Sequence, residues 1–149
     1  MSAKNEQPAA DGFSAEERAA MKERAAELRA ERKGGAKKAD GLQAVLDRIA
    51  QMEPHDRMLA ERVHVAVTQA APSLLPKTWY GMPAYANADG KIVVFYQDAG
   101  KFGARYSTLG FQDTAHLDDG DLWPVAYALK EWTPEVEKKV VELIRAAVS

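Results

Sequence analysis

The spacing of the apolar residues changes along the chain near Pro72, and this change constrains the fold more than any other feature. Before Pro72, apolar residues recur every three or four positions, which is typical of helices that bury one face. These residues are Leu42, Val45, Leu46, Ile49 and Met52, followed by Leu59, Val63, Ala66, Val67 and Ala70. The helical spacing returns only after Thr133 and Pro134, a predicted N-cap and first helical residue.

The middle of the chain shows the features of β-strands. Residues 92–96 are rich in β-formers, residues 102–108 alternate in character, and residues 122–129 form a third apolar segment. Turn sequences of hairpin length stand at 87–90 and 98–100 and predict antiparallel pairing. Helices, then strands, then a helix predict an α+β fold, in which helices pack on one face of an antiparallel sheet.

The sequence divides into four predicted regions. Residues 1–13 are polar and predict a flexible tail, residues 14–33 a charged helix, residues 34–39 a glycine-containing linker, and residues 40–149 the α+β domain. Asp40 is the predicted N-cap of the first helix of this domain.

The predicted helix at 14–33 has a strong start and a narrow apolar stripe. Ser14 and Glu17 match the capping-box pattern, in which each side chain accepts a hydrogen bond from the other residue's amide. The apolar stripe consists only of Met21, Ala25 and Leu28, so the helix can bury little area. We therefore expect loose docking, and a folded body after deletion of residues 1–38.

Composition disfavours several classes of protein. The chain has 149 residues and no cysteine, which excludes disulfides, thiolate catalysis and cysteine-based metal sites. It shows neither an apolar stretch long enough to span a bilayer nor an N-terminal signal peptide, so we expect a cytoplasmic protein without membrane partners. Residues 39–149 carry an acidic excess, which disfavours nucleic-acid binding.

The segment Trp79–Tyr85 reads Trp-Tyr-Gly-Met-Pro-Ala-Tyr and is the predicted ligand-binding motif. Its glycine permits backbone angles that bulky residues avoid, whereas its proline restricts the backbone. Most aromatic residues nearby are expected in the core, but strand alternation places Trp79 and Tyr80 on opposite faces, so one should lie away from the helices. The predicted binding residues are Trp79, Tyr80, Gly81, Met82, Pro83, Tyr85 and Arg105.

The densest acidic segment follows the strands and supplies the candidate metal ligands. These residues are His116, Asp118, Asp119 and Asp121. Their spacing matches no calcium loop or zinc motif, so a solvated turn is the alternative interpretation. No catalytic residue is predicted, because the chain shows no nucleophile elbow, nucleotide loop or paired metal-binding histidines.

Several of these segments together resemble the YdhG-like family of small bacterial proteins. The resemblance rests on Ala71-Pro72, Trp79–Tyr85, Gly90-Lys91 and Leu109-Gly110-Phe111, and covers about residues 42–145. It implies a frataxin-like fold, in which helices pack on an antiparallel sheet. The one activity that it implies is that of a frataxin-like intracellular iron chaperone, which uses surface carboxylates.

Three functional hypotheses follow. The first is a non-enzymatic cytoplasmic binding protein that holds a small molecule or a protein partner near the Trp79–Tyr85 motif. The alternatives are an iron-binding chaperone, which rests on the resemblance, and an enzyme with an unrecognised site. No cofactor is predicted apart from iron, which only the resemblance implies.

Overall fold

The computed structural model describes residues 14–34 and 38–149. In this part of the chain the elements are α1 (Ala15–Gly34), α2 (Lys38–Ala50), α3 (Pro54–Ala70), β1 (Leu75–Trp79), β2 (Met82–Ala86), β3 (Ile92–Gln97), α4 (Ala99–Phe102), β4 (Ser107–Phe111), β5 (Ala126–Leu129) and α5 (Pro134–Val148). The five strands described form one antiparallel sheet in the order β1-β2-β3-β4-β5. The predicted α+β class is confirmed. Among the described helices, none combines the length and apolarity that a membrane crossing requires.

The strand register divides the sheet into two faces, because directly paired residues of antiparallel strands share a face. On one face, Tyr85 pairs with Pro76 and Val94, and Val94 pairs with Phe111. This face packs against α2, α3 and α5 to form the main core. The other face, here called the outer face, carries a smaller cluster in which Trp79 and Phe95 lie against buried alanines.

The helix starts follow the predicted local signals in several places. Thr133 caps α5 by accepting a hydrogen bond from the Val136 amide at 3.1 Å, and Pro134 is the first residue of this helix. The Ser14 and Glu17 capping box of α1 is present, with reciprocal bonds of 2.8 and 3.0 Å. These signals are reliable because each depends on residues within one helical turn.

The predicted boundaries near residue 40 require correction. Gly34 is the last residue of α1, and α2 begins at Lys38, so Asp40 lies in the first helical turn rather than at the N-cap. Of the predicted linker 34–39, residues 35–37 lie outside the described residues, as does the predicted tail 1–13.

The predicted strand at 102–108 is wrong over most of its length. Residues 99–102 form the short helix α4, which ends at Gly103 in a left-handed conformation with φ of 65°. The Ser107 hydroxyl accepts a hydrogen bond from the Ala99 amide at 3.1 Å, and β4 begins only at Ser107. The predicted segment 122–129 is a strand only over its last four residues, and Leu122 is 91% exposed.

Helix α1 contributes little apolar surface. Ala20 is buried, whereas Met21 and Leu28 are 42% and 38% exposed. The main core contains no residue of α1 among those that the structure describes. Helix α1 therefore buries little apolar area, as its sequence predicts.

Deletion of residues 1–37, which leaves all of α2 in place, is expected to preserve a cooperative thermal transition. The physical reason is that the main core is built from α2, α3, α5 and the sheet. Circular dichroism at 222 nm during heating measures the transition, with the full chain as the reference. A broad, non-cooperative melt of the shortened chain would contradict the expectation.

Candidate functional site

The predicted binding motif forms a tight hairpin turn between β1 and β2. Trp79 pairs with Met82, and the two residues between them, Tyr80 and Gly81, have φ values of 54° and 75°. Two successive positive values are typical of the type I′ turn that suits the twist of a hairpin. A bulky residue such as Tyr80 is uncommon in this conformation, and such strain is concentrated at functional sites.

The side chains of the motif divide between the two faces of the sheet. Trp79 lies on the outer face, opposite to the face that packs on α2, α3 and α5, with ring centroids 5.1 Å from Tyr80 and 5.3 Å from Phe95. Met82 shares this face, since it pairs with Trp79. Pro83 and Tyr85 are fully buried. The motif therefore supplies a turn with two half-buried rings, while its other large aromatic belongs to the core.

Arg105 lies in the loop before β4. Its guanidinium carbon is 5.0 Å from the ring centroid of Tyr106. This is a stacked surface pair of an arginine and an aromatic ring. Arg105 therefore contacts Tyr106, its neighbour in the sequence.

The buried Tyr85 forms a polar pair with His64, which is partly buried. The Tyr85 hydroxyl is 2.8 Å from His64 Nδ1. Burial lowers the pKa of His64 and raises the pKa of Tyr85, so that both side chains are held in their neutral forms. The Tyr85 hydroxyl therefore has a hydrogen-bond partner on α3, and its polar end is satisfied without a ligand.

Acidification below about pH 6.5 is expected to destabilise the protein through His64. Burial lowers the His64 pKa in the folded state, so the unfolded chain binds more protons as the pH falls. The stability contribution is present above pH 6.5 and is lost below it. Urea unfolding of the wild type and His64→Gln between pH 5 and 8 measures the effect. Equal pH slopes for the two proteins would contradict it.

Arg48 of α2 connects the turn to a polar pocket. Its Nε donates to the Gly81 carbonyl oxygen at 2.8 Å, and its Nη2 donates to both carboxylate oxygens of Asp98 at 3.1 and 2.9 Å. The side chains of Arg48 and Asp98 are 10% and 3% exposed. Sequence reasoning missed this pair, because an arginine in the last turn of a helix is usually exposed and gives no local sign of burial.

The pocket beside this ion pair has a volume of about 310 Å³. It is lined by Arg48, Gln51, Met52, Glu53, Asp56, Asp98, Gly100 and Lys101. The buried Asp56 carboxylate accepts a hydrogen bond from the Gly100 amide at 2.9 Å. The absence of a side chain at Gly100 keeps this wall open, because a Cβ atom there would lie 2.9 Å from Asp56 Oδ2.

A carboxylate of α1 occupies the turn. Glu27 Oε1 accepts a hydrogen bond from the Tyr80 amide at 3.1 Å, and its Oε2 accepts one from the Gly81 amide at 3.3 Å. Glu23, one helical turn earlier, forms an ion pair with Lys101. Two converging amides beside an ammonium group are a favourable environment for an anion.

Among the described residues, grooves also lie away from this turn, and two of them adjoin α5. One, of about 650 Å³, lies between α3 and α5 and is lined mainly by exposed charged side chains with Trp132. The other, of about 450 Å³, lies between β5 and α5 and is mostly apolar. Neither shows the convergence of buried charges and backbone donors found at the turn.

The candidate metal ligands do not form a cluster. The backbone amide of His116 donates to the Ala147 carbonyl, and its Nδ1 is 2.7 Å from the Ser149 backbone oxygen. Within residues 14–34 and 38–149, no three histidine or carboxylate side chains are placed to hold a metal ion. Asp118, Asp119 and Asp121 are exposed. The described residues therefore offer no preformed iron site, and iron binding stays a prediction of the resemblance.

No protein-family model, curated protein or solved structure matches this chain. The resemblance to the YdhG-like family therefore stays a prediction. The function must be inferred from the geometry of the turn and its pocket.

Proposed function

We propose that this chain is a non-enzymatic binding protein that holds a carboxylate-bearing ligand at the Tyr80-Gly81 turn. One observation carries the proposal: the two oxygens of the Glu27 carboxylate accept hydrogen bonds from the two successive amides of the turn. A ligand carboxylate can make the same two bonds when Glu27 is displaced. Lys101, now paired with Glu23, supplies a positive charge nearby.

The rigidity of the turn supports a binding role. Hairpin pairing fixes one side of the turn, and the hydrogen bond from Arg48 Nε fixes the Gly81 carbonyl. Donors held in place before binding lose little conformational freedom when the ligand arrives. The half-buried rings of Trp79 and Tyr80 provide apolar surface for the carbon skeleton of the ligand.

The cellular setting is part of the proposal. A cytoplasmic location is supported by a sequence without cysteine, and membership of the YdhG-like family is supported by the motifs that resemble it. A catalytic role stays an alternative prediction. Arg48 is engaged with the Gly81 carbonyl and the Asp98 carboxylate, and Asp56 accepts a hydrogen bond from the Gly100 amide. Ionisable groups that are engaged in this way suit a binding role.

Titration of the Glu27→Gln variant with glutarate tests the proposal. We expect saturable shifts of the Tyr80 and Gly81 amide resonances in ¹⁵N-labelled protein, because the neutral amide competes poorly for the two donors. Wild type should respond with an apparent affinity about ten-fold weaker, since its own Glu27 occupies the turn most of the time.

Two controls separate charge recognition from general effects. Glu16→Gln changes an exposed glutamate of the same helix and should behave as the wild type does. Glutaramide matches glutarate in size but carries no charge, and it should cause no shift. Equal responses to the two compounds, or no response at Tyr80 and Gly81, would refute carboxylate binding at the turn.

A further inference from the structure

We propose that the turn and Lys101 form a docking surface for an acidic helix of a partner protein, and that α1 is its built-in occupant. The partner helix presents two glutamates one turn apart and displaces α1. This inference rests on the proposed function, because it names the class of partner for the same carboxylate site.

The spacing of the α1 contacts defines what the surface accepts. Glu23 and Glu27 stand four residues apart, so they lie on one face of the helix. Glu27 reaches the amides of Tyr80 and Gly81, while Glu23 reaches Lys101 in α4. Any helix with glutamates at this spacing can place carboxylates at both points.

The character of the α1 interface makes exchange feasible. Only Ala20 is buried among the α1 side chains that the structure describes, and Met21 and Leu28 are 42% and 38% exposed. Release of α1 therefore exposes little apolar surface to water. The contacts that are lost are charged hydrogen bonds, which a second acidic helix restores one for one.

A successful partner must overcome the advantage of a tethered helix. The effective concentration of a tethered segment is on the order of millimolar, so an identical free helix competes only at high concentration. A partner helix gains on α1 by placing apolar side chains against the half-buried rings of Trp79 and Tyr80. This surface therefore favours an acidic helix that is also amphipathic.

Fluorescence anisotropy with a labelled peptide of residues 14–34 tests the docking surface. The peptide is titrated with the full chain as wild type and as Glu23→Gln/Glu27→Gln. We expect binding about ten-fold tighter or more for the double variant, whose own α1 no longer holds the site. A peptide that carries the same two glutamine substitutions is the control and should bind neither protein.

The outcomes distinguish this inference from the proposed function. If glutarate shifts the Tyr80 and Gly81 amides but the acidic peptide does not bind the double variant, the docking inference falls and carboxylate binding stands. Equal binding of the two peptides also overturns the inference. If the wild type forms a dimer at assay concentrations and the double variant does not, the occupant is a second copy of this chain, whose α1 carries both glutamates, and the assignment of a separate partner is overturned.

A measurement on the wild type covers the case in which the double variant does not fold. Hydrogen exchange of the α1 amides should accelerate when the acidic peptide is present at saturating concentration, because displaced α1 becomes exposed to solvent. The glutamine peptide should leave the exchange rates unchanged. Unchanged α1 exchange with the acidic peptide would overturn the inference.

Discussion

Replacement of Arg48 by methionine is expected to lower the free energy of unfolding by about 3 to 5 kcal/mol, because it leaves a buried carboxylate without its partner. The Asp98 side chain is 3% exposed, and both of its oxygens accept hydrogen bonds from Arg48 Nη2. The substitution also removes the bond from Nε to the Gly81 carbonyl. Urea unfolding, followed by circular dichroism, measures the loss.

A double variant identifies the cause of this loss. Arg48→Met/Asp98→Asn removes both charges, so it should be more stable than Arg48→Met alone. The recovery is partial, because the Gly81 carbonyl still lacks its donor. If Arg48→Met alone costs less than about 1 kcal/mol, the ion pair behaves as an exposed surface pair and the described burial is contradicted.

Replacement of Gly41 by alanine is expected to destabilise the protein by about 1 to 3 kcal/mol, the usual cost of forcing extra volume into a packed interface. A Cβ atom at Gly41 would lie 2.2 Å from the backbone oxygen of Pro76, so α2 and β1 must move apart. For a chain of this size, each kcal/mol corresponds to about 2 to 4 °C in the melting temperature.

The direction of the Gly41 effect is diagnostic. Alanine has the higher helix propensity, so in an exposed helix the change would stabilise by up to about 1 kcal/mol. A rise in melting temperature would therefore contradict the close approach of α2 to β1. Gln43→Ala is the control, because Gln43 is an exposed residue of the same helix, and it should change stability by less than about 0.5 kcal/mol.

The parts of the fold that sequence reasoning predicts are those with local causes. The first residue of α5 follows from Thr133 with Pro134, because caps and helical spacing act within a few residues. The α+β class follows from the change of spacing near Pro72. Helix α4 was missed, since the hydroxyl that accepts the Ala99 amide comes from Ser107, in the next strand.

The candidate site could be predicted only in part. The Trp79–Tyr85 segment was predicted as a ligand-binding motif, but its tight hairpin turn was not predicted, because Tyr-Gly is not a common type I′ pair. Arg48 and Asp98 are 50 residues apart in the sequence, and only the packing of their elements buries them together. Burial of a charge is a property of the surrounding elements, which local spacing does not encode.

Helix α1 illustrates the difference between what the local sequence determines and what the tertiary structure determines. Its capping box and narrow apolar stripe were determined by the sequence alone, because both depend on residues within a turn or two of one another. Its attachment was decided by the tertiary structure. Glu27 reaches the Tyr80 amide across 53 residues of sequence, and only the hairpin makes that amide available as a donor.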